Sequence, residues 1–340
     1  MVDDKIELLI KNSKLLDNVK STLGMGTFKK CNALNLTLRN RNADVEKINN
    51  CIDIIRNNSS IFSNFRGNNL LTTAVNLSIQ NNPEESFNDI IIIYNKLKNH
   101  FFNNQFLVLA AQIIYNYRNI NDVDLIVVNT RKAYDTMKKN HLFLTGQEDI
   151  CAAALIATTS NNVEQTFIDM EECYNILKNN GFYSGNNLQA LSHILSLFEG
   201  FPQEKCNKVL LLDKILRNHS VPLKSYSLPI LGVAALTNID YEKFATDLNS
   251  ANNYLKKQHG FGSFSLGSTV RNMIIASLLS LEFIENSDSL TKEKLIETTN
   301  NISLNIVLIM QIAAATAASS AAIAAATAAS SAAIAASSSS

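Results

Sequence analysis

The chain has 340 residues, 46% of them hydrophobic, with 4 Pro, 11 Gly and no Trp; it is long enough to bury a large core, and so few breakers suit helices joined by short loops. Thirty basic and thirty acidic side chains cancel, with no long block of one sign, which excludes a chain built throughout to grip a nucleic-acid backbone. Five scattered cysteines (Cys31, Cys51, Cys151, Cys173, Cys206) form no C-x-x-C pair and read as reduced, buried small hydrophobes rather than a disulfide framework.

The first residues, MVDDKIELLIKNSKLL, are acidic at once and lack the apolar core of a secretory signal, so a cytoplasmic location is expected. Residues 4–44 read as a first helical pair, IELLIKNSKLLDNV followed by CNALNLTL. Residues 45–80 repeat the plan with INNCIDIIRNN and LLTTAVNLSI. Pro83 opens the third pair at a first helical position, where its missing N–H costs nothing and Glu84 and Glu85 favour the positive helix end. The fourth pair runs from Val123, and the fifth from Val163 to Gly200 is the plainest. In it, Phe167, Met170, Tyr174 and Leu177 recur at helical spacing, Lys178-Asn179-Asn180-Gly181 stops the helix, and a second apolar helix follows. Pro202 opens the sixth pair and Tyr241 the seventh, which closes with VRNMIIASLLSLEF.

An anchor near the end of each first helix recurs as Leu15, Ile55, Leu97, Met137, Leu177, Leu216 and Leu255, in steps of 39 to 42 residues. A tyrosine stands three residues before it at Tyr94, Tyr134 and Tyr174, and Asp213 breaks that pattern. A plug follows each of the later anchors: Phe101, Phe143, Phe182, Val221, Phe261. A fixed period near forty residues is the mark of stacked helical pairs. The fold class expected is all-α, an α-solenoid of about seven αα-hairpins, with a closed α/α-toroid as the alternative. Second helices carry Ala110, Ala111, Ala152 to Ala154, Gly232 and Ala276, and are expected to form the crowded inner layer. The more polar first helices lie on the wetter convex side.

Two domains are expected, a helical-repeat domain over 1–300 and an uncharged tail over 301–340. After Glu297 no charged side chain follows, and AAATAASSAAI at 313–323 recurs unchanged at 324–334. Ile312, Ile323 and Ile334 thus stand eleven apart, on one stripe of a straight helix. They are the candidate assembly stripe for self-association; membrane contact by the tail is the lesser reading, since no Lys or Arg flanks the segment.

No P-loop, G-x-G-x-x-G, H-E-x-x-H, G-x-S-x-G or metal-spaced Cys/His cluster is present, so no cofactor or metal is expected. His100, His141, His219 and His259 follow the anchors and read as groups meeting the negative ends of helices. His193 differs, lying inside a second helix with Gln189 four residues earlier on the same face. With Asp149, at the start of another second helix, and Arg271 and Asn272, polar residues entering an apolar one, they are the candidate lining of a concave groove.

LTGQEDICAAALIA (144–157), YNILKNNGF (174–182), NNLQALSHILSL (186–197) and the Ala/Ser tail together resemble a bacterial all-helical family known as a domain of unknown function. The resemblance covers nearly the whole chain and implies a bacterial cytoplasmic protein, with no activity or ligand carried over. The function expected is a non-enzymatic scaffold binding a protein or peptide on its concave face; an α/α-toroid enzyme with a central active site is the rival.

Overall fold

The computed structural model describes residues 2–20, 26–119, 122–142, 144–160, 162–237 and 239–285. Within them the chain forms α1 (Val2–Leu16), α2 (Gly26–Leu38), α3 (Val45–Asn57), α4 (Asn68–Ser78), α5 (Pro83–Lys98), α6 (Phe106–Tyr117), α7 (Val123–Asn140), α8 (Asp149–Thr159), α9 (Val163–Asn179), α10 (Asn186–Ser196), α11 (Pro202–Asn218), α12 (Leu228–Leu236), α13 (Tyr241–Leu255) and α14 (Gly267–Glu285). A short 3₁₀ turn, Ser225–Ser227, leads into α12. No strand occurs among the described residues. The tail, with Ile312, Ile323 and Ile334, the boundary at 300 and the plug Phe143 lie outside them.

Odd-numbered helices start where local chemistry tells them to. Asp44, Asn82, Asp122, Asn162 and Asp240 each accept a backbone N–H of the following turn with their side chain, satisfying a donor that the helix itself cannot. Pro83 and Pro202 occupy first-turn positions. The anchors Ile55, Leu97, Met137, Leu177, Leu216 and Leu255 are all fully buried. At the first hairpin the register moves by one residue: Leu16 is fully buried and Leu15 only partly, so the buried position there stands 39 residues before Ile55.

Each even-numbered helix packs on the odd-numbered one before it, giving seven αα-hairpins. Even-numbered helices also pack on one another, as in α6 on α8 and α10 on α12, and form an inner layer. Small residues set how closely they approach. Ala110, Ala111, Ala153, Ala154 and Ala276 are fully buried, and a Cβ on Gly232 would stand 2.7 Å from Leu191 Cδ1. Polar side chains also tie this layer: Asn35 Nδ2 donates to Asn76 Oδ1, and Asn76 Nδ2 to Gln112 Oε1, each at 2.7 Å, linking α2, α4 and α6.

The solenoid-like row of hairpins curves until its ends meet. α14 packs against α2 in the inner layer, and α1 packs against α13 and α14. Tyr254 Oη on α13 donates to Glu7 Oε1 on α1. Lys30 on α2 lies with its Nζ 4.6 Å from the ring centroid of Phe261 and bonds Ser13 Oγ. This is the closed arrangement held as the alternative.

Neighbouring hairpins are joined by a recurring contact in which a loop residue of one meets the tyrosine of the next. Phe65 packs edge-on against Tyr94 at 4.9 Å and Phe101 against Tyr134 at 5.4 Å, and His141 lies tilted against Tyr174 at 4.6 Å. Such pairs add roughly 0.5–1.5 kcal/mol beyond the area they bury. Leu177→Ala should lower the unfolding free energy by roughly 2–5 kcal/mol. Ile168→Ala on the exposed face of the same helix should change it by less than about 0.5 kcal/mol. Urea titration followed by far-UV circular dichroism measures both.

Candidate functional site

Asp149, Gln189 and His193 come together, as interior groups and not as the lining of an open groove. All three are buried. His193 Nδ1 stands 3.9 Å from Asp149 Oδ1. Gln189 Nε2 donates to Thr145 Oγ1 at 3.2 Å, and Asp149 Oδ2 accepts from the Gly146 N–H at 2.8 Å. The cluster joins the fourth and fifth hairpins. Gln189 Oε1 and His193 Nε2 have no hydrogen-bond partner. Arg271 and Asn272 lie elsewhere, on α14, and are buried too. Arg271 Nη1 donates to the carbonyl of Phe261 at 2.9 Å and its Nε to Asn252 Oδ1, so it fastens α14 to α13 and the loop between them. Asn272 Nδ2 donates to the Pro222 carbonyl at 3.3 Å. Packing of the inner layer buries α14 continuously from Val270 to Leu281.

Two of the four histidines after the anchors connect hairpins. His141 Nε2 is 2.9 Å from Glu171 Oε1 on α9, and His219 Nε2 is 2.9 Å from Glu242 Oε2 on α13. His100 and His259 are exposed. The five cysteines are free and buried. Burial pushes the Cys31 thiol up to about 12 and that of Cys51 to about 11, so neither is a ready nucleophile at neutral pH.

The surface with the most to offer is the edge formed by the loops inside the hairpins. Because each hairpin returns the chain to its starting edge, all odd-numbered helices run one way and end at this edge. Phe62, Phe102, Tyr183 and Phe264 each stand there at least 90% exposed, with Leu142 at 60%. Together with the exposed Lys224 they form the series 62, 102, 142, 183, 224, 264, one position in each hairpin from the second to the seventh. The sequence reading missed them, although the doublets Phe101-Phe102 and Phe182-Tyr183 carry the signal. Only one member of each pair can plug the hairpin; the other must face out.

Charge is segregated along the same axis. From α3 to α11 every odd-numbered helix is acidic in its first turn and basic in its last, and Lys256-Lys257 follow α13. The loop edge therefore gathers cations, among them Lys96, Lys98, Lys138, Lys139 and Lys178. First-turn carboxylates of the following helix reach some of these groups, as Asp124 pairs with Lys96 and Glu242 with His219, and others, such as Lys98, Lys138 and Lys139, stand exposed.

A groove of about 570 Å³ opens at the loop edge between the fifth and sixth hairpins. Phe182, Leu210 and Leu228 supply its apolar surface, and Tyr183, Lys214, Arg217 and Lys224 also line it. Asp213 lies among them, bonded through Oδ2 to Arg217 Nε at 2.7 Å, with Oδ1 unpartnered. Ser220 and Ser225 hold left-handed backbone, φ 60° and 55°, a conformation that side chains other than Gly, Asn and Asp seldom adopt.

The buried pair makes a pH prediction. Burial raises Asp149 from 3.8 to about 7 and lowers His193 from 6.5 to about 3. On folding, Asp149 takes up a proton between pH 4 and 7, so its contribution to stability falls as pH rises through that window. His193 loses one between pH 3 and 6.5, so its contribution falls as pH drops. From pH 4 to 6.5 the two slopes oppose. Asp149→Asn keeps the bond to Gly146 and should stabilise the protein at pH 7.5 by on the order of 2–4 kcal/mol. It should also uncover a loss of stability below pH 6.5. Chemical denaturation from pH 4 to 8 checks both signs.

No helix among the described residues is long and apolar enough to cross a membrane. No solved structure matches the chain. An "Uncharacterized protein YeaA" from Bacillus subtilis (strain 168) is 27% identical over 283 residues, 82% of this chain and 82% of that protein. A family model described as "Protein of unknown function (DUF4003)" matches residues 13–313, running past 300 and stopping where the duplicated Ala/Ser segment begins. With most of its length inside that match, the chain belongs to the DUF4003 family.

Proposed function

We propose that the protein is a non-enzymatic helical-repeat scaffold that works in the cytoplasm by binding a protein or peptide partner. The observation that carries this reading is the loop edge, where five of the seven hairpins hold an exposed apolar side chain beside the basic last turns of the outer helices. A row of exposed large apolar side chains along one edge offers a contact surface, and aromatic residues are enriched at protein interfaces. The partner surface is thereby moved from the concave face to the rim. Buried free thiols suit a reducing compartment. Ring closure favours the rival reading of a toroid enzyme. Against it, Asp149, Gln189 and His193 lie inside the protein and the pairing of their hairpins accounts for their positions.

The variant F62S/F102S/F264S removes three exposed rings without touching the core. Immobilised wild-type protein should retain a specific partner from a bacterial lysate, and the variant, at unchanged melting temperature, should lose it. Identical capture by both proteins would move the binding surface elsewhere.

A further inference from the structure

We infer that the groove between the fifth and sixth hairpins is the docking site for an acidic peptide segment carrying an aromatic side chain. The inference rests on the scaffold reading and names the partner chemistry of one part of that edge. In the preceding junctions a loop residue meets the tyrosine of the next hairpin: Phe65 with Tyr94, Phe101 with Tyr134, His141 with Tyr174. At the next junction Phe182 remains, but Asp213 stands where the repeat has tyrosine. The place a phenol ring would fill is the groove, and both Phe182 and Asp213 line it.

The same junction departs from the repeat a second time. Lys224 replaces the exposed apolar residue of the rim series and lines the groove with Lys214 and Arg217. Three cations face one carboxylate, Asp213, which Arg217 already holds. The complementary ligand is an aromatic ring packed on Phe182, in the position of the missing tyrosine, with flanking carboxylates on Lys214 and Lys224. Aromatic anchors in a pocket with charged neighbours at the rim are the usual pattern of a short peptide site.

The test uses full-length protein and two fluorescein-labelled pentapeptides, each with two Glu on either side of a central Tyr or Ala. Fluorescence anisotropy should show the Tyr peptide binding at least about tenfold more tightly than the Ala peptide, a difference of about 1.4 kcal/mol. Raising the salt from 50 to 300 mM should weaken it several-fold. K214E/K224E, two exposed positions, should lose binding about tenfold or more. D213Y should restore the tyrosine series, fill the groove and abolish binding without lowering the melting temperature. Equal affinity for the two peptides, or binding unchanged in K214E/K224E and D213Y, overturns the inference. So does groove-dependent binding of phosphatidylserine vesicles or a single-stranded oligonucleotide in place of the peptide. Loss of lysate capture in F62S/F102S/F264S alongside no peptide binding leaves the scaffold reading standing and removes this one; unchanged capture removes the scaffold reading itself.

Discussion

The meeting of the seventh hairpin with the first is the constraint on which the remainder of the fold depends. A row of stacked hairpins has two ends whose apolar faces need covering, and repeat proteins commonly supply special terminal units for that purpose. Here each end covers the other, through α14 on α2 and α1 on α13. Closure places Lys30 in the interior, where burial lowers its pKa, and it is held there by the Ser13 hydroxyl and the face of Phe261. A buried cation is costly unless it is hydrogen-bonded or otherwise compensated. Its presence at the junction favours one way of joining the ends over others.

Closure also dictates composition. Helices on the inside of a ring have less room than those outside, so the inner layer is built from Ala, Gly and Ser where neighbours approach. Gly232 against Leu191 is the tightest case. The same crowding turns polar residues of the inner helices into structural partners: Asn76 bridges three helices, and Gln189 reaches across to Thr145. What the ring has left for recognition is its two edges. The outer helices end in basic last turns, and the acidic first turn of the next outer helix meets some of these ends, as Asp124 meets Lys96 and Glu242 meets His219.

Much of this was legible in the sequence, for definite reasons. Pro83 and Pro202 open helices wherever they stand at a first turn, and starts at Val123, Val163 and Tyr241 follow Asp122, Asn162 and Asp240, residues that cap from the position before. The anchors were legible because a buried position recurs at a fixed interval whatever its neighbours do. Closure was not, since it sums small rotations between hairpins that no single residue declares. Apolar periodicity also cannot tell which of two adjacent aromatics faces inward, so Phe102 and Tyr183 were hidden behind Phe101 and Phe182. The burial of His193 and Arg271 was hidden for a related reason: a polar residue in an apolar helix looks the same whether it meets a ligand or a neighbouring loop.

Departures from the repeat carry the most information in such a chain. A repeat position that keeps its residue type is accounted for by packing, as Tyr94, Tyr134 and Tyr174 are by the loop residue packed against each. Where the type changes, the packing reason has lapsed and another must replace it. Asp213 and Lys224 change together, eleven residues apart in sequence, and both line the same groove. One exchange removes a ring from a junction, and the other sets a cation in a rim series otherwise apolar. Either alone is a tolerated substitution. Their coincidence at one junction, beside two serines held in left-handed backbone, distinguishes this part of the ring from the hairpin junctions that the repeat itself explains.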